Sequence, residues 1–189
     1  MSYLQSITRP SPNSDSVWPA SRSSATRMLV SGLVLGIAAG LAVRRSWQPL
    51  FQARIRWLPL LFGSLLIRGV ASVLGEAGYP LYVAALAGTA VAAAANYRLV
   101  GAIFVAFGGC LNLAVVILNR GMPVDPGALA IVGAQTPRDA LHVVLDASTR
   151  LAFLADAIPV GVVRSVYSVG DIFIAIGGFL VPFALLARR

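Results

Sequence analysis

The chain has 189 residues, of which 58% are hydrophobic and only 12% charged, where a soluble domain carries about 25% charged residues. Its net charge of +8 comes from 15 basic residues, all Arg, against 7 acids. Those Arg residues stand at the edges of apolar runs and are not gathered with aromatics on one face, a pattern that argues against a nucleic-acid surface and for charge flanking membrane spans. A single Cys, Cys110, excludes an intrachain disulfide and a multi-Cys metal site.

Residues 1–26 are rich in Ser, Pro and Arg, as in "RPSPNSDSVWPASRSSATR", with too little apolar surface to offset the entropy of ordering. They are expected to form a disordered tail ahead of a single helical membrane domain over 27–189. The first apolar run, Met28–Val43, holds "SGLVLGIAAG". Gly32, Gly36 and Gly40 share one helix face, which lets another helix approach closely where packing rather than hydrophobicity drives association. A cleaved signal peptide is the alternative, but the long tail before the run and Arg44-Arg45 after it argue against one. "RRSWQPLFQARIRW" follows and reads as an interfacial linker with aromatic anchors.

Further spans are expected at about Trp57–Leu74, Tyr79–Ala95, Leu99–Leu118 and Val169–Ala187, since roughly 20 apolar residues cross a hydrocarbon core of about 30 Å. Arg68 is the charge inside the second span. It either snorkels to the headgroups or pairs across the bundle with Asp171, Asp156 or Glu76. Asn112, in the fourth span, can bond a neighbouring helix or line a polar cavity. In "LNRGMPVDPG" the fourth span ends: Pro123 and Pro126 cannot continue a helix, Gly121 fits the left-handed residue at its C-terminus, and Asn119 and Arg120 can bond the last carbonyls.

The only long polar segment, 119–166, lies between the fourth and fifth spans. Within it "TPRDALHVVLDASTRLAFLAD" has a helical, amphipathic period, and Thr136, Pro137 and Asp139 form a helix-start pattern. Asp139, His142 and Asp146 would then share a face able to hold a metal or relay a proton; the alternative is a solvated face with an Asp146–Arg150 pair. No second His or Cys is at hand for zinc. In "YSVGDIFIAIGG", Ser168 and Asp171 match a capping box, while Asp171 also reads as an intramembrane acid in a polar pocket.

The fold expected is therefore an all-α integral membrane protein, a bundle of about five transmembrane helices with one amphipathic interfacial helix between the fourth and fifth. Counting Arg near span ends places the C-terminus in the cytoplasm and the N-terminus and 119–166 outside.

Residues roughly 99–177 resemble a bacterial family of small multi-pass membrane proteins, domain of unknown function family 5317. The matching pieces are "LNLAVVILN", "NRGMPV", a segment with a His (His142), "FLADAIPV" and "YSVGDIFIAIG". The family pattern has Gly where Arg120 stands. The resemblance implies a multi-pass membrane protein and brings no activity, substrate or cofactor. It adds Met122, Pro123, Asp156 and Gly170 to Asn112, Asn119, Gly121, His142, Ser168 and Asp171 as signature positions.

The sequence shows no nucleophile with an attached base, phosphate-binding Gly loop or metal-ligand cluster, and no cofactor is expected. The leading reading is a non-catalytic scaffold or accessory subunit in the bilayer, binding a lipid, another membrane protein or a second copy of itself through the glycine stripe and the polar segment. A small transporter or channel-like protein with a polar cavity near Arg68, Asn112, Asp156 and Asp171 is second. A membrane enzyme using His142 with Asp139 or Asp146 is third.

Overall fold

The computed structural model describes residues 24–44, 46–134 and 141–187. Most of the expected N-terminal tail, the Thr136–Pro137–Asp139 cap, and Arg188 and Arg189 lie outside the described residues. The chain is mostly helical: α1 is Ser24–Arg44, α2 Gln48–Gln52, α3 Leu58–Val73 and α4 Tyr79–Ala94, with a 3-10 turn at Gly75–Gly78 joining α3 to α4. After α5, Ala102–Asn119, come β1, Met122–Val124, α6, Pro126–Ile131, and β2, His142–Val144. The antiparallel hairpin of β3, Ile158–Val160, and β4, Ser165–Tyr167, leads into α7, Val169–Ala187.

All five expected apolar segments are helical. Three stretches are long and apolar enough to cross a membrane: Gly75–Ala94, Ala102–Asn119 and Val169–Ala187. Met28–Val43 and Leu58–Val73 are shorter apolar helices. Their outer faces carry large exposed side chains such as Leu35, Leu66 and Val73.

The long helices pack in the order α1, α7, α5, α4, α3. Small residues set the spacing. A Cβ on Gly32 or Gly36 would strike the carbonyl oxygens of Ala175 or Phe179, and one on Gly40 would meet the Leu186 side chain. These contacts rise together along both helices, so α1 runs parallel to α7. The glycine face expected to receive another molecule is thus taken up within the chain: the last helix is its partner, and sequence spacing cannot tell a partner in the same chain from one in another. Gly108 and Gly101 meet Gly170 and Gly177 in reverse order, which makes α5 and α7 antiparallel, and Gly109 on Ala90 together with Tyr79 Oη on the Val116 carbonyl does the same for α4 and α5.

Residues 120–134 and 141–167 form a cap over one end of the bundle. β1 pairs in parallel with β2, Met122 opposite His142. On its other edge β1 bridges to Asp156, whose N–H donates to the Pro123 carbonyl at 2.8 Å. Asp125 caps α6 through the Gly127 N–H at 2.8 Å, with Pro126 at the first helical position.

The amphipathic helix expected over 137–158 is not there, insofar as residues 141–158 are described: they are strand, turn and a 3-10 turn at Ala152–Leu154. Val143 and Val144, β-branched, go into β2 instead, where the backbone is satisfied by Met122 N–H to the Leu141 carbonyl and Leu145 N–H to the Val124 carbonyl. Asp146 turns the chain by accepting from the Ser148 N–H and hydroxyl, and Leu151 takes a left-handed φ of 53°. The shared helical face of His142 and Asp146, and the i,i+4 pair of Asp146 with Arg150, disappear with the helix.

The apolar core lies where the cap meets the bundle. Ala71, Tyr82, Leu86, Val115 and Val116 pack with Met122, Leu141 and Leu154. A second cluster, Val124, Ala128, Leu129, Val132 and Val166, lies within the cap.

Candidate functional site, a polar cavity beneath the cap

The end of α5 sets the stage. Asn119 donates to the Val115 carbonyl at 2.8 Å and the Arg150 carbonyl at 2.9 Å, and accepts from the Arg150 N–H at 2.8 Å. The 150 turn is thereby tied to the helix end. The left-handed residue is Arg120, φ 57°, and not Gly121 as expected; the Arg120 and Gly121 N–H groups both reach the Val116 carbonyl. Gly121 is needed for a different reason. A Cβ there would sit 2.9 Å from Val143 and 3.2 Å from the Leu141 carbonyl, holding β2 away from β1. The strand this turn launches carries Met122 and aligns His142 on one edge and Asp156 on the other.

Below the strand, the start of α7 builds the rest. The capping box forms: the Asp171 N–H donates to Ser168 Oγ at 3.0 Å, and the Ser168 N–H reaches Asp171 Oδ2 at 3.5 Å. The same two residues also hold Asn112. Its Nδ2 donates to Asp171 Oδ1 at 2.8 Å, and its Oδ1 accepts from Ser168 Oγ at 3.0 Å. Ser168, Asp171 and Asn112 are 0%, 1% and 3% exposed, so this network is closed to water. Gly170 makes it possible, because a Cβ there would collide with Asn112 Oδ1. "SVGD" thus supplies a hydroxyl, a gap and a carboxylate to one amide on a helix more than fifty residues away.

Arg68 approaches from α3. Its guanidinium lies 5.2 Å from the Tyr82 ring centroid, with one terminal nitrogen 3.5 Å from the Tyr82 hydroxyl. Among the described residues its Nε is buried without a hydrogen-bond acceptor. Arg68, Tyr82, Asn112, Met122, His142, Asp156 and Asp171 line one cavity of about 10 Å³, room for about one water molecule. Four of these residues, Arg68, Asn112, Asp156 and Asp171, are the set that the sequence offered as a polar cavity. Tyr82 was missed; the signal available was its place with Tyr79 on one face at the start of a span.

The other candidates lie elsewhere. Asp146 is exposed on the turn after β2, and the Ser148 hydroxyl, then the Ser148 N–H, hold its carboxyl below the ordinary carboxylate value. It does not line the cavity. Asp139 is outside the described residues. Pro123 is buried in β1 and serves through its carbonyl. Among the described residues no group of three or more His, Cys, Asp or Glu could hold a metal ion.

Chemically, the cavity brings together a permanent cation, two carboxyl groups, an imidazole and neutral hydrogen-bonding groups in a small, partly enclosed space. Such groups interact more strongly there than in water.

The fold and site define a mostly helical protein with helices able to cross a membrane and a polar cavity beneath a small cap. The chain belongs to the family of unknown function DUF5317, whose profile matches residues 42–183. The match reaches well beyond the resemblance at 99–177 and takes in α3 and α4, so residues 42–98 are related by more than span count. Comparison with curated proteins and with solved structures gives no match.

Proposed function

We propose that this protein is a five-span membrane protein of transporter-like type that moves protons, alone or with a small polar solute, through the site beneath the cap. α1 and α3 would cross with the three longer helices, aided by tilt or local thinning of the bilayer. The Arg-rich end faces the cytoplasm, and the cap and N-terminus face outward.

The observation that supports this reading is the convergence of Arg68, Asn112, Asp156 and Asp171 on one cavity. Ionisable groups at membrane depth are costly, and in functional proteins they line ion and proton paths. The scaffold reading is weakened because its docking face, the glycine stripe, is covered by α7. The enzyme reading retains His142 beside the cavity but not Asp146.

The test is proton flux. Purified protein is reconstituted into liposomes loaded with a pH-sensitive dye, and a potassium diffusion potential is imposed. Protein-dependent pH change is expected, reduced at least about tenfold by Asp171→Asn. Flux equal to that of protein-free liposomes would overturn the proposal.

A further inference from the structure

The end of the bundle opposite the cap carries a second feature that the proton site does not use. Helix directions bring the 46–57 and 95–101 connections together there, and Asn96 joins them. Its Oδ1 accepts from the Arg56 N–H at 2.8 Å, while its Nδ2 donates to the Arg56 carbonyl at 2.7 Å and the Ala92 carbonyl at 2.7 Å. Asn96 is 9% exposed, so the clasp is an internal fixture. Beside it Trp57 takes a left-handed φ of 60°, a strained backbone for a bulky residue.

This fixed loop pair presents cations and aromatics outward. Arg54, Arg56 and Arg98 are exposed, and Trp47, Phe51, Trp57 and Tyr97 are 49%, 84%, 57% and 55% exposed. Arg98 is bonded to Tyr97 by Nε to Oη at 3.2 Å. The acids among the described residues, Glu76, Asp125, Asp146, Asp156 and Asp171, all lie at the cap end, leaving these arginines without acidic neighbours on their own face.

We propose that this rim is a binding site for anionic phospholipid headgroups, with Arg54, Arg56 and Arg98 contacting phosphates and Trp47 and Trp57 seated at the headgroup level. Aromatic rings with an apolar body and a polar edge settle at that depth, and each basic residue near an anionic surface attracts it. The inference rests on the membrane reading of the chain and not on proton movement.

Tryptophan quenching tests it. The full chain, carrying Trp18→Phe so that only Trp47 and Trp57 report, is placed in equimolar phosphatidylglycerol and phosphatidylcholine bilayers with one or the other lipid brominated. Quenching by brominated phosphatidylglycerol is expected to give a binding constant about fivefold or more above that for phosphatidylcholine, one arginine's worth of attraction. The preference falls to about one in Arg54→Gln/Arg56→Gln/Arg98→Gln and weakens in high salt. Equal quenching by the two lipids, or a preference unchanged in the triple variant, overturns the proposal. Quenching by brominated phosphatidylcholine alone reports insertion, so its loss would count against the membrane reading itself.

Discussion

Gly170→Ala puts the account of the cavity at risk most simply, since it adds one methyl group. The added Cβ would meet Asn112 Oδ1 and, at 2.8 Å, the Gly108 carbonyl oxygen. Neither is the loose end of a flexible chain: one belongs to a buried amide held by two hydrogen bonds, the other to the α5 backbone. Overpacking of this kind costs about 1–3 kcal/mol. Displacing Asn112 also forfeits its bond to the Asp171 carboxylate, worth about 1.5–3 kcal/mol when one partner is charged. The expected total is about 2.5–6 kcal/mol, read as unfolding free energy by SDS titration in mixed micelles. The control is Gly69→Ala, where a Cβ meets nothing within 4 Å; in a helix interior it should be neutral or stabilising by up to about 1 kcal/mol. If the two variants unfold within about 0.5 kcal/mol of each other, the close approach of α5 and α7 around Asn112 is wrong.

Other outcomes follow from the same geometry. Gly36→Ala should destabilise by about 1–3 kcal/mol, since its Cβ would strike the Phe179 carbonyl and come within 2.8 Å of Pro182; thermal unfolding in detergent reads this. Arg120→Gly should stabilise by about 0.5–1 kcal/mol, because the position is left-handed and Gly adopts that backbone without strain. Ser148→Ala should raise the Asp146 pKa toward the ordinary carboxylate value, seen in the carboxyl carbon chemical shift. The sign follows from the depressed folded value: the contribution of Asp146 is fully present at neutral pH and is lost as pH falls through that folded value.

The helices were legible because lipid leaves a long apolar stretch no other way to satisfy its backbone, and the observed ends lie within four residues of those expected. Ser168 and Asp171 were legible as a local pair, a reading that spans only four residues. The glycine stripe was legible as a packing face, but its partner lies some 140 residues away, and spacing carries no such information. The cap misled for a related reason. Leu141, His142 and Val144 fit a helical period, yet β1, some twenty residues earlier, offers this stretch a ladder, and non-local pairing overrides local pattern. Gly121 was assigned the left-handed turn that Arg120 adopts; its own requirement comes from β2, which no local rule could supply. Arg68, Asn112, Asp156 and Asp171 were singled out one at a time as polar groups in apolar surroundings, and that shared cost is why they meet.

Asn112 and Asp171, far apart in the chain, are joined in one buried polar site. A double-mutant cycle of Asn112→Ala and Asp171→Asn, measured as unfolding free energy, tests it directly. The account expects a coupling of about 1.5 kcal/mol or more, above the average of about 0.6 kcal/mol for interhelical hydrogen bonds in a membrane protein. Additive effects, with coupling indistinguishable from zero, would contradict it.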